Sequence, residues 1–182
     1  MRIIAGTAKS RKLIAPDSKG TRPVTDRVRE AVFSIVGSWV EAANVLDLYA
    51  GSGSFGLEAL SRGARAATFV ENGPKALIAL RRNIEVVGLG GTVVSSTVSD
   101  YLNRSAGRYD LVFMDPPWTQ PTEIMGVELG RLDSLLAPGA EVIVSRRHTD
   151  EEPPIPVTWG VATDRRYGDT RIFRYAKEPE TR

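Results

Sequence analysis

The chain contains no cysteine and only one histidine among its 182 residues. The lack of cysteine excludes disulfides and thiolate metal sites, and with them the small secreted domains and zinc modules that depend on such crosslinks. No apolar run approaches the ~20 residues that cross a bilayer. The first residues, MRIIAGTAKSRKL, also lack the apolar core of a signal peptide. We therefore expect a cytoplasmic protein that makes no contact with a membrane and holds no metal.

Positive charge is concentrated near the N-terminus. Residues 1–30 carry eight Lys or Arg against three acidic residues, a net charge of +5 in a chain whose total is +2. Such a basic arm fits two roles, contact with a nucleic-acid backbone or a merely solvated surface. The cations that we expect along a nucleic-acid path are Arg11, Lys12, Arg22, Arg27 and Arg29.

The order of elements predicts an α/β fold in one main domain. Residues 1–23 form a basic extension of short extended pieces, and residues 24–182 form the main domain. A helix should begin after a Thr25 cap and end at Gly37. From residue 44 onwards, apolar strands alternate with helical segments, which predicts a mostly parallel sheet covered on both faces. The tail, residues 164–177, predicts an antiparallel hairpin that turns at Gly168.

The stretch DLYAGSGSFG, residues 47–56, joins the first strand to a helix and supports two interpretations. Its glycines spell G-x-G-x-x-G, and Glu71 follows where a dinucleotide fold keeps its ribose-binding acid, as in NAD-dependent oxidoreductases. Asp47 favours another ligand, because a carboxylate at the end of the first strand repels a pyrophosphate but attracts an ammonium group. S-adenosylmethionine carries such a group. A chain of this length also leaves little room for the second domain of a dehydrogenase.

The stretch DPPW, Asp115 to Trp118, follows a buried strand directly. In an open parallel sheet this strand end lies at the crevice where ligands bind. The exocyclic amine of a nucleobase is a poor nucleophile, because its lone pair is delocalised into the ring. Asp115 and the carbonyl oxygen of Pro116 can accept hydrogen bonds from the two N–H groups of the amine and so orient its lone pair. Trp118 offers a face on which an extruded base can stack.

Together, DLYAGSGSFGLEALSRGA and FMDPPW resemble the Rossmann-like class I methyltransferases that use S-adenosylmethionine to modify exocyclic amines. RPVTDRVREAVFSIV and RRYGDTRIFRY resemble the RsmD family, so that the resemblance covers almost the whole chain. It implies methylation of guanine N2 in 16S ribosomal RNA of the assembled small subunit. By resemblance, the cofactor-binding residues are Asp47, Gly51, Ser52, Gly53, Glu71, Asn72, Thr97 and Val98, and the catalytic residues are Asp115, Pro116 and Trp118.

Two positions depart from the pattern of these families. Trp118 stands where the RsmD family usually has Phe or Tyr, so the base can be seated differently. Thr97 stands where many class I enzymes have an Asp for the adenine amine, with Asp100 nearby as a candidate helix cap. His148 is interpreted as a surface residue and not a base, since transfer from a sulfonium donor needs no strong base.

Other interpretations stay open at this point. The target could be an adenine N6 or another RNA, and an RNA-binding ribosome-assembly factor with a degenerate cofactor pocket is a non-enzymatic alternative. The pairs Arg146-Arg147 and Arg165-Arg166 could contact RNA or be solvated. We expect a monomer, and we expect removal of residues 1–20 to weaken RNA binding while sparing the core.

Overall fold

The computed structural model describes residues 1–16 and 25–178. Strands and helices alternate along the main domain, as the sequence predicts. The strands are β1 Asn44–Leu48, β2 Ala66–Glu71, β3 Thr92–Ser95, β4 Tyr109–Met114, β5 Leu136–Arg147, β6 Trp159–Tyr167 and β7 Thr170–Lys177. The α-helices are α1 Asp26–Val36, α2 Ser54–Ser61, α3 Pro74–Val87, α4 Val98–Arg104 and α5 Thr122–Leu132. Short 3₁₀ turns follow α1 at Gly37–Val40 and α5 at Asp133–Leu135.

The strands form one sheet in the order β3-β2-β1-β4-β5-β7-β6. Strands β1 to β5 pair in parallel, and β7 pairs antiparallel with both β5 and β6. The prediction of a mostly parallel sheet that ends in an antiparallel hairpin is confirmed. The strand order reverses between the parallel neighbours β1 and β4: β2 and β3 lie on one side of this pair and β5 lies on the other. Such a switch point opens a crevice beyond the carboxyl ends of the two strands.

Two apolar clusters cover the two faces of the sheet. One joins the N-terminal segment, α1 and α2 to the sheet through residues such as Phe33, Phe55 and Phe113. The other packs α4 and α5 against the opposite face through Leu129 and Tyr175 among others. In the described part of the chain, no helix has the length and hydropathy that a membrane crossing requires.

Helix α1 begins and ends where the sequence predicts, but one side chain that was expected to be exposed is buried. The Thr25 side chain accepts from the Val28 amide, and Gly37 ends the helix with a φ of +58°. The expectation that Arg29 lies on an exposed nucleic-acid path is wrong, because its side chain is fully buried. It donates to the Asp26 carboxylate at 3.1 Å and to the Arg2 carbonyl oxygen, and it lies 3.9 Å from buried Glu58. Arg29 therefore neutralises an internal acid.

The N-terminal segment is part of the core. Its extended pieces meet in one isolated antiparallel bridge between Arg2 and Lys12 within residues 1–16. Ile3, Ala8 and Leu13 are buried in the same cluster as α1 and α2. The amides of residues 4 and 5 donate to the Glu58 carboxylate at 2.7 and 3.0 Å. The expectation that removal of residues 1–20 spares the core is therefore wrong.

Candidate active site

The glycine loop, residues 49–53, runs from β1 to α2 in a left-handed conformation. The φ angles are +58° at Tyr49, +55° at Gly51 and +77° at Gly53. A Cβ on Gly53 would lie 2.5 Å from a Leu80 methyl carbon, whereas a Cβ on Gly51 would have no atom nearer than 3.9 Å. The backbone at Gly53 is thus packed against α3, and the backbone at Gly51 is open towards the crevice.

Asp47 lies on β1 just before this loop and is only 1 % exposed. Its Oδ2 accepts a hydrogen bond of 2.9 Å from the Gly56 amide in α2. Burial raises the pKa of Asp47 well above its usual value against the lowering effect of the Gly56 bond, and the charges of Asp115 and Glu71 raise it further. No other described residue donates a hydrogen bond to this carboxylate, so Oδ1 is left as an acceptor for a ligand.

Glu71 ends β2 and ties that strand to the glycine loop. Its Oε2 accepts from the Gly51 amide at 2.8 Å, and its Oε1 accepts from the amides of Asn72 and Gly73 at 2.9 and 2.7 Å. A carboxylate offers about four acceptor positions, so one remains for a ribose hydroxyl. Accepting from both hydroxyls would require one of the backbone bonds to open.

The three acids Asp47, Glu71 and Asp115 lie at the carboxyl ends of the neighbouring strands β1, β2 and β4. Their mutual repulsion contributes to the raised pKa of Asp47. Within the described ranges, no cluster of His, Asp and Glu side chains has the proximity needed to hold a metal ion. A cationic ligand would relieve the repulsion, whereas the pyrophosphate of NAD would increase it.

The residues that the resemblance assigns to adenine lie at the start of α4. The Thr97 hydroxyl accepts from the Asp100 amide at 3.1 Å and donates to the Asp100 carboxylate at 2.8 Å, so it caps the helix. The Val98 side chain is buried in the apolar cluster. Adenine would therefore contact the backbone of these two residues and not their side chains. Asp100 is the partner of Thr97 in the helix cap.

Asp115 follows β4 and lies in the wall of a cavity of about 410 Å³. The Ser145 hydroxyl on β5 donates a hydrogen bond to its Oδ1. Burial raises the pKa of Asp115 to about 6, and the bond from Ser145 opposes this rise. The carboxyl group can thus change its protonation state just below neutral pH. The other cavity residues are Thr25, Arg27, Val28, Trp118, Ser145, Arg166, Tyr167, Gly168, Asp169 and Thr170.

The remainder of the DPPW motif completes this wall. Pro116 is buried and Pro117 is exposed, while Trp118 is half-buried at the cavity. The Arg147 guanidinium carbon lies 4.9 Å from the centroid of the Trp118 ring. One face of the indole therefore carries a cation–π contact, and the ring also lines the cavity.

The cations predicted from the sequence have different positions. Arg27 is exposed at the cavity wall, and Lys12 is exposed on the N-terminal segment. Arg11 donates to the carbonyl oxygens of Val86 and Val87 and so caps the C-terminal end of α3. Arg22 lies outside the described residues.

The residues of the two arginine pairs, on β5 and β6, also differ in burial. Arg146 is buried and donates to the Gln120 carbonyl oxygen at 2.9 Å, which is a structural role. Arg147, Arg165 and Arg166 are exposed. His148 is half-buried, and its amide donates to the Asp169 carbonyl oxygen at 2.8 Å.

Sequence reasoning missed two polar residues that support the site. Asn83 on α3 is fully buried, donates to the Ser52 carbonyl oxygen at 2.9 Å, and exchanges hydrogen bonds with the Ile14 backbone. It joins the glycine loop to the N-terminal segment. An Asn on the apolar stripe of α3 was the available signal for this residue. Ser145 comes at the end of an apolar run of β5, and nothing in the sequence marks it as a functional residue.

The strand order, the glycine loop after β1 and the acid-Pro-Pro-aromatic motif after β4 define a class I, Rossmann-like methyltransferase. Residues 1–176 match the family described as conserved hypothetical protein 95. The chain belongs to this family, and its resemblance to the RsmD enzymes is confirmed.

Individual relatives agree with this assignment. The chain is 34% identical over 181 residues to a ribosomal RNA small subunit methyltransferase D of Escherichia coli K12, covering 99% of this chain and 91% of that one. A solved structure of the putative methyltransferase yhhF from Escherichia coli has a TM-score of 0.87 and 33% identity, covering 99% of both chains. A putative SAM-dependent methyltransferase from Streptococcus mutans has a TM-score of 0.72 and 17% identity over 86% of this chain and 50% of that one. The last likeness concerns the fold alone.

Proposed function

We propose that this protein transfers a methyl group from S-adenosylmethionine to the exocyclic N2 of a guanine in small-subunit ribosomal RNA. The observation that carries the proposal is the position of Asp115. Asp115 directly follows β4, next to the loop after Asp47, and it also lines a cavity that can hold a base. The small ribosomal subunit as substrate is supported by the name of the Escherichia coli relative, which matches nearly the whole chain.

The choice of cofactor rests on charge. When bound, S-adenosylmethionine supplies an electrophilic methyl group on a cationic sulfur and also carries an ammonium group. Asp47 would accept from the ammonium through Oδ1, and Glu71 would accept from a ribose hydroxyl. The open backbone at Gly51 allows close approach of the ligand. The rival cofactor, NAD, would place two phosphates among carboxylates that already repel one another.

The target base would enter the cavity and stack on the free face of Trp118. Asp115 Oδ2 and the Pro116 carbonyl oxygen would then accept hydrogen bonds from the two N–H groups of the amine, which orients the nitrogen lone pair towards the cofactor site at the glycine loop. The proline ring fixes φ and so holds this carbonyl oxygen in place. After transfer the nitrogen becomes acidic, and Asp115 can take the proton because burial raises its pKa to about 6.

The RNA backbone would follow the exposed cations around the cavity. Arg27 of α1 and Arg166 of β6 both line the cavity, and Arg147 of β5 stacks on Trp118. This path replaces the one proposed from charge alone, since Arg29 is internal and Arg11 caps a helix. Phosphate contacts of this kind position the RNA, whereas the choice of base depends on the pocket.

Methyl transfer to purified ribosomal particles tests the proposal. The protein is incubated with S-adenosylmethionine labelled in the methyl group and with small subunits, large subunits or naked ribosomal RNA from a strain that lacks this enzyme. We expect label in the small subunit alone. Calorimetry should show binding of S-adenosylmethionine and none of NAD. Labelling of large subunits only, or binding of NAD without S-adenosylmethionine, would overturn the proposal.

A further inference from the structure

Three successive residues near the end of β5 contact the DPPW motif or the loop that follows it. Side chains alternate between the two faces of a strand, so Ser145 and Arg147 lie on the same face and Arg146 lies on the other. Ser145 donates to the Asp115 carboxylate, and Arg147 lies over the ring of Trp118. Arg146, from the opposite face, donates to the carbonyl oxygen of Gln120.

We propose that β5 supplies two positioning residues for methyl transfer, Ser145 for the carboxylate of Asp115 and Arg147 for the ring of Trp118. This inference rests on the proposed function, since it assigns the two motif residues to the target base. Neither residue follows from the DPPW motif itself. Both lie on a different strand, 30 and 29 positions further along the chain.

Strand β5 is paired with β4 on one side and with β7 on the other. Val144 pairs in parallel register with Met114, which places Ser145 beside Asp115. On the other side, Ser145 and Arg147 pair with Ile172 and Thr170 of β7. The strand is thus paired with β4 as far as Val144 and with β7 through Arg147, and this pairing fixes the position of Ser145 relative to Asp115.

The hydroxyl of Ser145 helps to fix the orientation of the Asp115 carboxylate. Its hydrogen bond to Oδ1 leaves both acceptor positions of Oδ2 for the substrate. The bond also stabilises the charged form of the carboxyl group, against the effect of burial. Loss of the hydroxyl should therefore change both the orientation of the carboxylate and the pH range in which it can accept a proton.

The guanidinium of Arg147 closes one face of the Trp118 ring. A base that stacks on this ring while the cation stays in place must use the opposite face. An indole ring can adopt several orientations about its side-chain bonds, and a flanking cation that holds its plane restricts them. Arg147 thereby acts through Trp118 on the seating of the base.

The Ser145 role is tested with Ser145→Ala and, as a matched control that keeps the hydroxyl, Ser145→Thr. The carboxyl carbon of Asp115 is titrated by NMR, and the pH profile of kcat/KM is measured on small subunits. The wild-type rate should rise with pH through about 6, because the unprotonated carboxylate is the acceptor. Ser145→Ala should displace this limb and the NMR titration to higher pH, with a plateau lower by on the order of tenfold to a hundredfold. Ser145→Thr should restore the wild-type limb.

The charged groups that face Asp115 from neighbouring elements remain in both variants, so the displacement reports on the hydroxyl. They are Asp47 of β1, Arg27 of α1, Arg166 of β6 and Asp169 of the hairpin turn. A titration of Asp115 that is the same in wild type and Ser145→Ala would overturn the Ser145 role. Since the NMR titration needs no turnover, this result is distinguishable from a wild-type enzyme that fails to methylate small subunits.

The Arg147 role is tested with Arg147→Gln against Arg165→Gln, which removes an exposed cation from the adjacent hairpin. A phosphate contact would raise KM in both variants and leave kcat unchanged. Positioning of Trp118 predicts a lower kcat for Arg147→Gln alone, with recovery in Arg147→Lys, which retains a cation over the ring. Equal kcat values for Arg147→Gln and wild type would overturn this part of the proposal.

Discussion

Asp115 is the residue whose replacement has the clearest expected effect. Asp115→Asn keeps the shape of the side chain but loses the charged acceptor for the target amine. Methyl transfer should fall by on the order of 10²–10³, while calorimetry should give near wild-type affinity for S-adenosylmethionine. Asp110→Asn, at the opposite end of β4, is the matched control and should retain activity, since Asp110 accepts from the Asn44 amide far from the cavity. Unchanged turnover in Asp115→Asn would contradict the assigned role.

Replacement of Asp47 should affect cofactor binding and the free energy of unfolding in different ways. Its pKa is raised in the folded state, so at neutral pH the buried charge destabilises the fold, and this cost is absent at low pH. Asp47→Asn removes the charge and should leave the free energy of unfolding unchanged or higher, as measured by denaturant titration. The same change should weaken binding of S-adenosylmethionine, because the ammonium partner is lost. Glu85→Gln, on the exposed face of α3, should alter neither quantity. Full cofactor affinity in Asp47→Asn would show that the loop has been misread.

At the level of single residues, the sequence predicts those site residues that a local pattern marks. It does not predict the roles of residues that depend on tertiary packing. Asp47 and Asp115 could be named because each ends an apolar strand. Arg29 could not be distinguished from Arg27 by its charge, because the distinction depends on the buried acid of α2. Ser145 carries no pattern of its own, and only the parallel register of β4 and β5 brings it to Asp115.

At the scale of elements, the glycine loop depends on Gly53. A Cβ there would lie 2.5 Å from a Leu80 methyl carbon, on a backbone with a φ of +77°. Gly53→Ala should therefore lower the free energy of unfolding by about 1–3 kcal/mol and weaken cofactor binding. Gly130→Ala is the matched control, since a methyl group on this exposed α5 glycine would meet no atom within 4 Å. It should raise stability by up to about 1 kcal/mol. Equal melting temperatures for the two variants would contradict the packing role of Gly53.

The elements themselves were largely predictable. Helix α1 has the cap and the end that Thr25 and Gly37 predict, and the tail forms the expected hairpin. These features depend on local signals of capping, periodicity and turn formation. The N-terminal segment was misjudged because its three core residues are spaced five apart and show neither helical nor strand periodicity. Tertiary contact with α2 decides its structure.

At the scale of the whole molecule, the basic extension is both a surface and a part of the core. Ile3 is fully buried against α1 and α2, so Ile3→Ala should lower the free energy of unfolding by about 2–5 kcal/mol. Lys12→Gln changes an exposed residue of the same segment and should stay within about 0.5 kcal/mol of wild type. Chemical denaturation of both variants measures this difference. Wild-type stability in Ile3→Ala would mean that the segment is only a solvated arm.

In the proposed function, the acids of β1 and β4 serve methyl transfer to a guanine amine. The most direct measurement is mass spectrometry of nucleosides from small-subunit RNA of a deletion strain that carries either wild type or Asp115→Asn. We expect N2-methylguanosine in the presence of wild type and its loss with Asp115→Asn and in the uncomplemented strain. Restoration of N6-methyladenosine instead, or a nucleoside profile that is identical in all three strains, would contradict it.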